Sequence, residues 1–176
     1  CRKRGHAFVQ NRAVYAYDGP MKEAMYRFKY SNCRAYRRIF AKDAWNIYGA
    51  WLRNLEVDAV VPVPMYAKKK RQRGYNQAEV FAEEIAKRLD CRLDTWLVVR
   101  TRNTAPLKNL SDQGRKKNLE NAFKIRKNDV KLNKILLIDD IYTTGSTLDG
   151  VTEALLASGV RQVYCLTVCA GREKHV

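Results

Sequence analysis

No apolar run in this sequence approaches the roughly 20 residues that a transmembrane helix needs. Its apolar runs, such as ILLI at 135–138 and WLVV at 96–99, are strand-sized. The CRKRG start lacks the apolar stretch of a secretory signal, so the expected compartment is the cytoplasm. Cysteine occurs five times, at 1, 33, 91, 165 and 169, with an odd count and no CxxC pair. That pattern argues against a disulfide framework and predicts no zinc site within this chain. Cys165 and Cys169 fall in an apolar run, where small packing residues are expected. Two nucleotide-binding fingerprints, GxxxxGK[ST] and GxGxxG, are also missing. Acidic charge is short as well: 18 Asp and Glu stand against 34 Lys and Arg, a formal net of +16.

Such an excess of cations favours polyanionic partners: nucleic acid, nucleotide phosphates or pyrophosphate. Hydrophobic residues make up 46% of the 176, enough to bury a core in a single domain. Strand patterns at AVYAY (13–17), DAVVPVP (58–64), WLVVR (96–100), AFKI, KILLIDD and VYCLTVCA alternate with helical periodicity. The helices are expected over 21–30, about 34–52, 76–89 and 146–157. Alternation of this kind predicts an α/β domain, with a mainly parallel twisted sheet flanked by helices. The polar stretch at 101–118 is long for a connector and reads as a functional lid or a disordered segment.

The segment ILLIDDIYTTGST, residues 135–147, concentrates the chemistry. In an open α/β sheet, ligands bind beyond the carboxyl ends of strands, where Asp139 and Asp140 are expected. The turn that follows leads into a helix, whose N-terminal amides and dipole suit a phosphate. Thr143, Thr144, Ser146 and Thr147 add hydroxyls, and Gly145 lets the backbone close around an anion. Carboxylates beside a phosphate repel it unless they face a ribose diol or a divalent cation. The bland alternative is that the acids cap a strand and begin a turn.

This segment matches the thirteen-residue phosphoribosyl pyrophosphate signature and so resembles type I phosphoribosyltransferases. The resemblance implies that Asp139 and Asp140 hold the ribose hydroxyls and that Thr143, Thr144, Gly145, Ser146 and Thr147 bind the 5′-phosphate. It implies Mg²⁺ arriving through the ligand's own oxygens, with no metal held by protein side chains alone.

After PVP comes AKKKRQRGYNQAE, with Lys68, Lys69, Lys70, Arg71 and Arg73 in six positions. Together with Gly74 and the next helix start, they read as a pyrophosphate loop; a solvated charge run is the alternative. RQRGYNQAE and PVP resemble the ComF (ComFC/GntX-like) family, and the likeness extends over about 13–171. RNTAPLKNLSDQGRKKNLENAF resembles that family's flexible lid, with Arg102, Thr104, Pro106, Leu110, Arg115, Asn118 and Phe123 in place. Leu107 stands where the family commonly carries Gln, so an amide contact from the lid is not carried over.

The family implies an amino-terminal zinc module, of which Cys1 resembles the last ligand. Residues 1–12 are then expected as a residual linker, residues 13–176 as the phosphoribosyltransferase-like domain, and zinc only in the missing module. Three functions stay open. One is a phosphoribosyltransferase, in which an acceptor displaces pyrophosphate stabilised by Arg71 and Arg73; no pattern marks the acceptor or any catalytic residue. Another is the family's association with natural transformation, handling single-stranded DNA beside a competence helicase and a DNA-processing protein. Tyr15, Tyr17, Tyr26, Tyr30, Tyr36 and Tyr48, interleaved with Lys and Arg, suit stacking and charge contact, or simply packing. The third is a regulator that binds the sugar phosphate without chemistry.

Overall fold

The ILLI run lies inside β5 (Lys134–Tyr142), and Ile135, Leu136, Leu137 and Ile138 are all fully buried. A strand buried on both faces must be covered on both, and the chain does this with two separate clusters. The computed structural model describes residues 5–31, 33, 35–102, 122–126 and 131–171. Beside β5 run β2 (Ala59–Pro62) and β6 (Gln162–Ala170), and β1 (Gln10–Ala16) pairs with β6. All pairings are parallel, in the order β1-β6-β5-β2.

One face packs on α1 (Gly19–Tyr30), α2 (Tyr36–Asn54) and α4 (Gln77–Leu89), through Met25, Phe28, Phe40, Leu52, Phe81 and Ile85. The other packs on α5 (Ser146–Ala157) and a two-stranded antiparallel sheet, β3 (Val98–Arg100) with β4 (Phe123–Ile125). Alternation along β5 divides its side chains accordingly: Leu136 and Ile138 join the first cluster, Ile135 and Leu137 the second. Each such side chain contributes on the order of 2 kcal/mol by leaving water.

Two local features set the site's frame. Pro62 ends β2, so its ladder with β5 stops at Ile138. Asn76 then caps α4, accepting from Ala78 N and donating to Val63 O at 2.9 Å, which ties the helix start to the strand exit.

Two expectations change. The basic stretch read as a loop is the short helix α3 (Ala67–Arg73), because Ala, Lys, Arg and Gln are strong helix formers. Gly74 ends it in the left-handed region at φ 84°, its N–H bonded to Lys70 O. The expected strand at 96–100 is shorter and belongs to the separate antiparallel pair rather than to the main sheet. Of the stretch expected as a linker, the described part leads into β1 at Gln10, Val9 N bonds Val163 O, and Phe8 joins the core. Burial of Phe8 draws that segment onto the sheet.

Candidate functional site

Asp139 and Asp140 lie within β5, not after it. They are nevertheless at a rim, because β2 has already ended opposite Ile138 while β6 continues beside them to Ala170. Alternation sends Asp140 to the α1 face, where Lys29 Nζ meets its Oδ2 at 2.7 Å; the two side chains are 19% and 20% exposed. Asp139 accepts a hydrogen bond from Asp140 N at 2.8 Å.

Electrostatics separates the pair. Burial, then the neighbouring Asp140 charge, pushes the Asp139 carboxyl up to about 7, against the pull of Lys29 and Arg100. Burial works to lower the Lys29 ammonium, but Asp140 and Asp139 outweigh it and the net shift is upward. Burial lowers Arg100, which the Asp139 charge partly restores. Burial, then the charges of Arg100 and Arg73, lowers Lys69. Lys29 and Arg100 therefore act on the acidic pair directly, while Arg73 and Lys69 are near enough to act on those two cations.

On the other side, Gly145 opens α5 in the left-handed region at φ 79°. As an N-cap it has no side chain to occupy the helix's first amides, which leaves them to an anion. Thr144 Oγ1 and Ser146 Oγ lie 2.9 Å apart; Thr143 is exposed, while Thr144, Ser146 and Thr147 are half-buried. The five turn residues expected to bind phosphate thus share one end of the site. The expected cations divide. Arg73 reaches the cluster, hydrogen-bonding Gln77 and lying over the Tyr30 ring at 5.0 Å. Lys70 pairs with Glu79 at 2.6 Å, while Arg71 and Gly74 are exposed. Of the lid residues, Arg102 is exposed; Thr104, Leu107 and Arg115 lie outside the described residues.

Sequence reasoning missed Lys29, Arg100 and His6 and did not single out Lys69 within its run. His6 lies against Gly145, in contact with Asp149 and Tyr142. The tyrosines also sort themselves. Tyr26 and Tyr30 are each 62% exposed on α1 with rings 5.0 Å apart, whereas Tyr15 bonds Asp43 and Tyr48 bonds Ala13 O. Tyr17 and Tyr36 are half-buried.

Among the described residues, no group of three or more His, Cys, Asp or Glu gathers as a metal cage. Asp140 is paired to Lys29, so a divalent cation here would have to bring oxygen ligands of its own. No helix among the described residues is long and apolar enough to cross a membrane.

The phosphoribosyl transferase domain family matches residues 75–176, more than half of the chain and the part carrying α4, the acidic pair and the turn. Competence protein F of Haemophilus influenzae is 29% identical over 93% of this chain and 73% of its own length. Competence protein ComFC of Bacillus subtilis is 30% identical over 85% of this chain and 59% of its own. DNA utilization protein YhgH of Escherichia coli is 37% identical over 62% of this chain, and the match spans about half of that relative, 48%. Among solved structures, a hypoxanthine phosphoribosyltransferase of Staphylococcus aureus aligns over 78% of this chain and 64% of its own, with TM-score 0.47 and 16% identity. The parallel sheet, the rim acids and the glycine-opened helix thus come with a family: the chain is a phosphoribosyl transferase domain protein of the ComF family.

Proposed function

We propose that the chain binds phosphoribosyl pyrophosphate as its Mg²⁺ complex and serves DNA uptake in natural transformation. The observation that carries this reading is the company of three features: a helix opened by Gly145 with no side-chain cap, two carboxylates near the end of β5 with Lys29 on Asp140, and the cations Lys69, Arg73 and Arg100 acting on one another or on Asp139. A ribose 5-phosphate with pyrophosphate at its other end offers a partner to each of the three: anion, hydroxyls, anion. In this reading Thr143, Thr144, Gly145, Ser146 and Thr147 hold the monoester, and Asp139 and Asp140 take the ribose hydroxyls. Lys69, Arg73 and Arg100 take the pyrophosphate, and Lys29 keeps Asp140 oriented. Mg²⁺, when bound with the ligand, neutralises charge on the pyrophosphate oxygens.

DNA uptake enters from the names of the Haemophilus, Bacillus and Escherichia relatives. The partner in this reading is single-stranded DNA in the cytoplasm, alongside a competence helicase and a DNA-processing protein. Tyr26 and Tyr30, exposed beside Arg73, offer a stacking surface next to the sugar-phosphate site. A second reading, an active phosphoribosyltransferase with its own acceptor, is favoured by the leaving-group cations, which would stabilise departing pyrophosphate.

Calorimetry with Mg²⁺–phosphoribosyl pyrophosphate, with and without single-stranded DNA, tests the proposal. The expected outcome is binding that drops more than about 100-fold in Asp139→Asn/Asp140→Asn, as loss of two ligand-bonded carboxylates implies. Unchanged affinity in that variant would sink the sugar-phosphate reading. Release of pyrophosphate that depends on an added nucleobase or amine would establish the second.

A further inference from the structure

Residues 6–8, ahead of β1, are fastened to the turn that opens α5. His6 Nδ1 lies 2.9 Å from Asp149 Oδ2, and Ala7 N donates to Asp149 Oδ1 at 2.9 Å. His6 Nε2 lies 3.2 Å from the Tyr142 hydroxyl, and the imidazole stacks on core residue Phe8 with centroids 4.6 Å apart. A carboxylate oxygen only accepts, so in the neutral ring Nδ1 carries the proton and Nε2 accepts from Tyr142 O–H. A Cβ placed on Gly145 would fall 2.7 Å from His6 Cε1 and 3.1 Å from Nδ1. The ring therefore fills the space beside the backbone of the turn.

Asp149 explains why a fastening is needed here. It sits in the first turn of α5, its N–H bonded to Gly145 O. A carboxylate there suits the helix dipole but opposes a phosphate at the same helix end. Both of its oxygens are engaged from outside the helix, one by His6 and the other by Ala7 N–H.

We propose that His6 is a positioning residue of the phosphate turn. It holds the backbone at Gly145 and occupies the Asp149 carboxylate, leaving the α5 amides to a phosphate monoester. This rests on the reading of that end as the monoester site.

Calorimetry on the full chain with ribose 5-phosphate, and separately with inorganic pyrophosphate, tests it. His6→Ala is expected to weaken ribose 5-phosphate roughly 10-fold and to leave pyrophosphate within about twofold. His6→Gln, which keeps an N–H donor, should stay near the unaltered affinity. Adding Asp149→Asn to His6→Ala should recover most of the loss, because the repulsion it exposed is gone. Equal losses for both ligands, or no recovery in the double variant, would assign His6 a merely structural role and overturn the proposal. Unaltered ribose 5-phosphate affinity in His6→Ala overturns it too. An unaltered chain that binds pyrophosphate but no ribose 5-phosphate instead removes the monoester site, and this inference with it.

Discussion

At the α5 end of the acidic pair, the groups are neutral or matched: hydroxyls of Thr144 and Ser146 in contact, Gly145 packed under His6, Asp149 held by two donors. At the α3 end, Lys69, Arg73 and Arg100 press on one another, and burial together with that crowding lowers Lys69. The first end is shaped before a ligand arrives; its contribution is geometry. The second holds excess positive charge that a polyanion relieves; its contribution is field. A phosphate monoester needs directed donors, whereas pyrophosphate, with more charge over more oxygens, suits a cluster of cations.

The largest effect that separates the two ends comes from removing charge at one of them. Lys69→Ala/Arg100→Ala should weaken inorganic pyrophosphate about 100-fold, as two lost charge-assisted contacts imply, and ribose 5-phosphate less than about threefold. Titration calorimetry of both ligands reads this directly, and pyrophosphate affinity should also fall more steeply with salt than ribose 5-phosphate affinity. Similar losses for both ligands would erase the distinction between the ends.

Two glycines in the left-handed region sharpen the comparison at smaller scale. Gly145→Ala combines positive φ with a Cβ 2.7 Å from His6, while Gly74→Ala has positive φ and open space. Backbone strain alone costs about 1 kcal/mol at either position. The collision at Gly145 adds to that, so ribose 5-phosphate binding should weaken roughly 10-fold there and pyrophosphate little. Gly74→Ala should lower thermal stability slightly and leave ribose 5-phosphate binding intact. A Gly74 variant as damaging as the Gly145 variant would mean that packing by His6 adds nothing.

Much of the α5 end was legible in the sequence because its signals are local. An apolar run, two acids, hydroxyls and a glycine occupy thirteen consecutive positions, and α5 spans Ser146–Ala157 as its periodicity predicts. The cationic end was legible only in part, because tertiary packing assembles it from distant segments. Lys29 reads as one more lysine on an amphipathic helix, and only the packing of α1 on the sheet brings it to Asp140. Within KKKRQR, nothing local distinguishes Lys69, which meets the cluster, from Lys70, which Glu79 occupies. Helix formation over those residues decides it, by giving successive side chains different directions. His6 carried no signal at all in GHAF, since its partners lie at Tyr142 and Asp149.

Between the two ends, the acids differ from each other, and pH exposes this with the smallest of the expected effects. Asp140 is matched by Lys29, whereas burial, then the charge of Asp140, lifts Asp139 to about 7 from the ordinary 3.8. Through that window the native chain binds more protons than the unfolded one, so stability falls as pH rises. Between pH 6 and 8 the loss should be on the order of 1 kcal/mol, read from urea denaturation at each pH. Asp139→Asn should flatten this slope and be the more stable chain at pH 8, because the amide never has to carry the buried charge. Asp140→Asn should act in the same direction on the slope by removing the charge that repels Asp139, while leaving Lys29 without its partner. A slope unchanged in both variants would mean that Asp139 is already ionised well below neutrality, and the two acids would then be electrostatically alike.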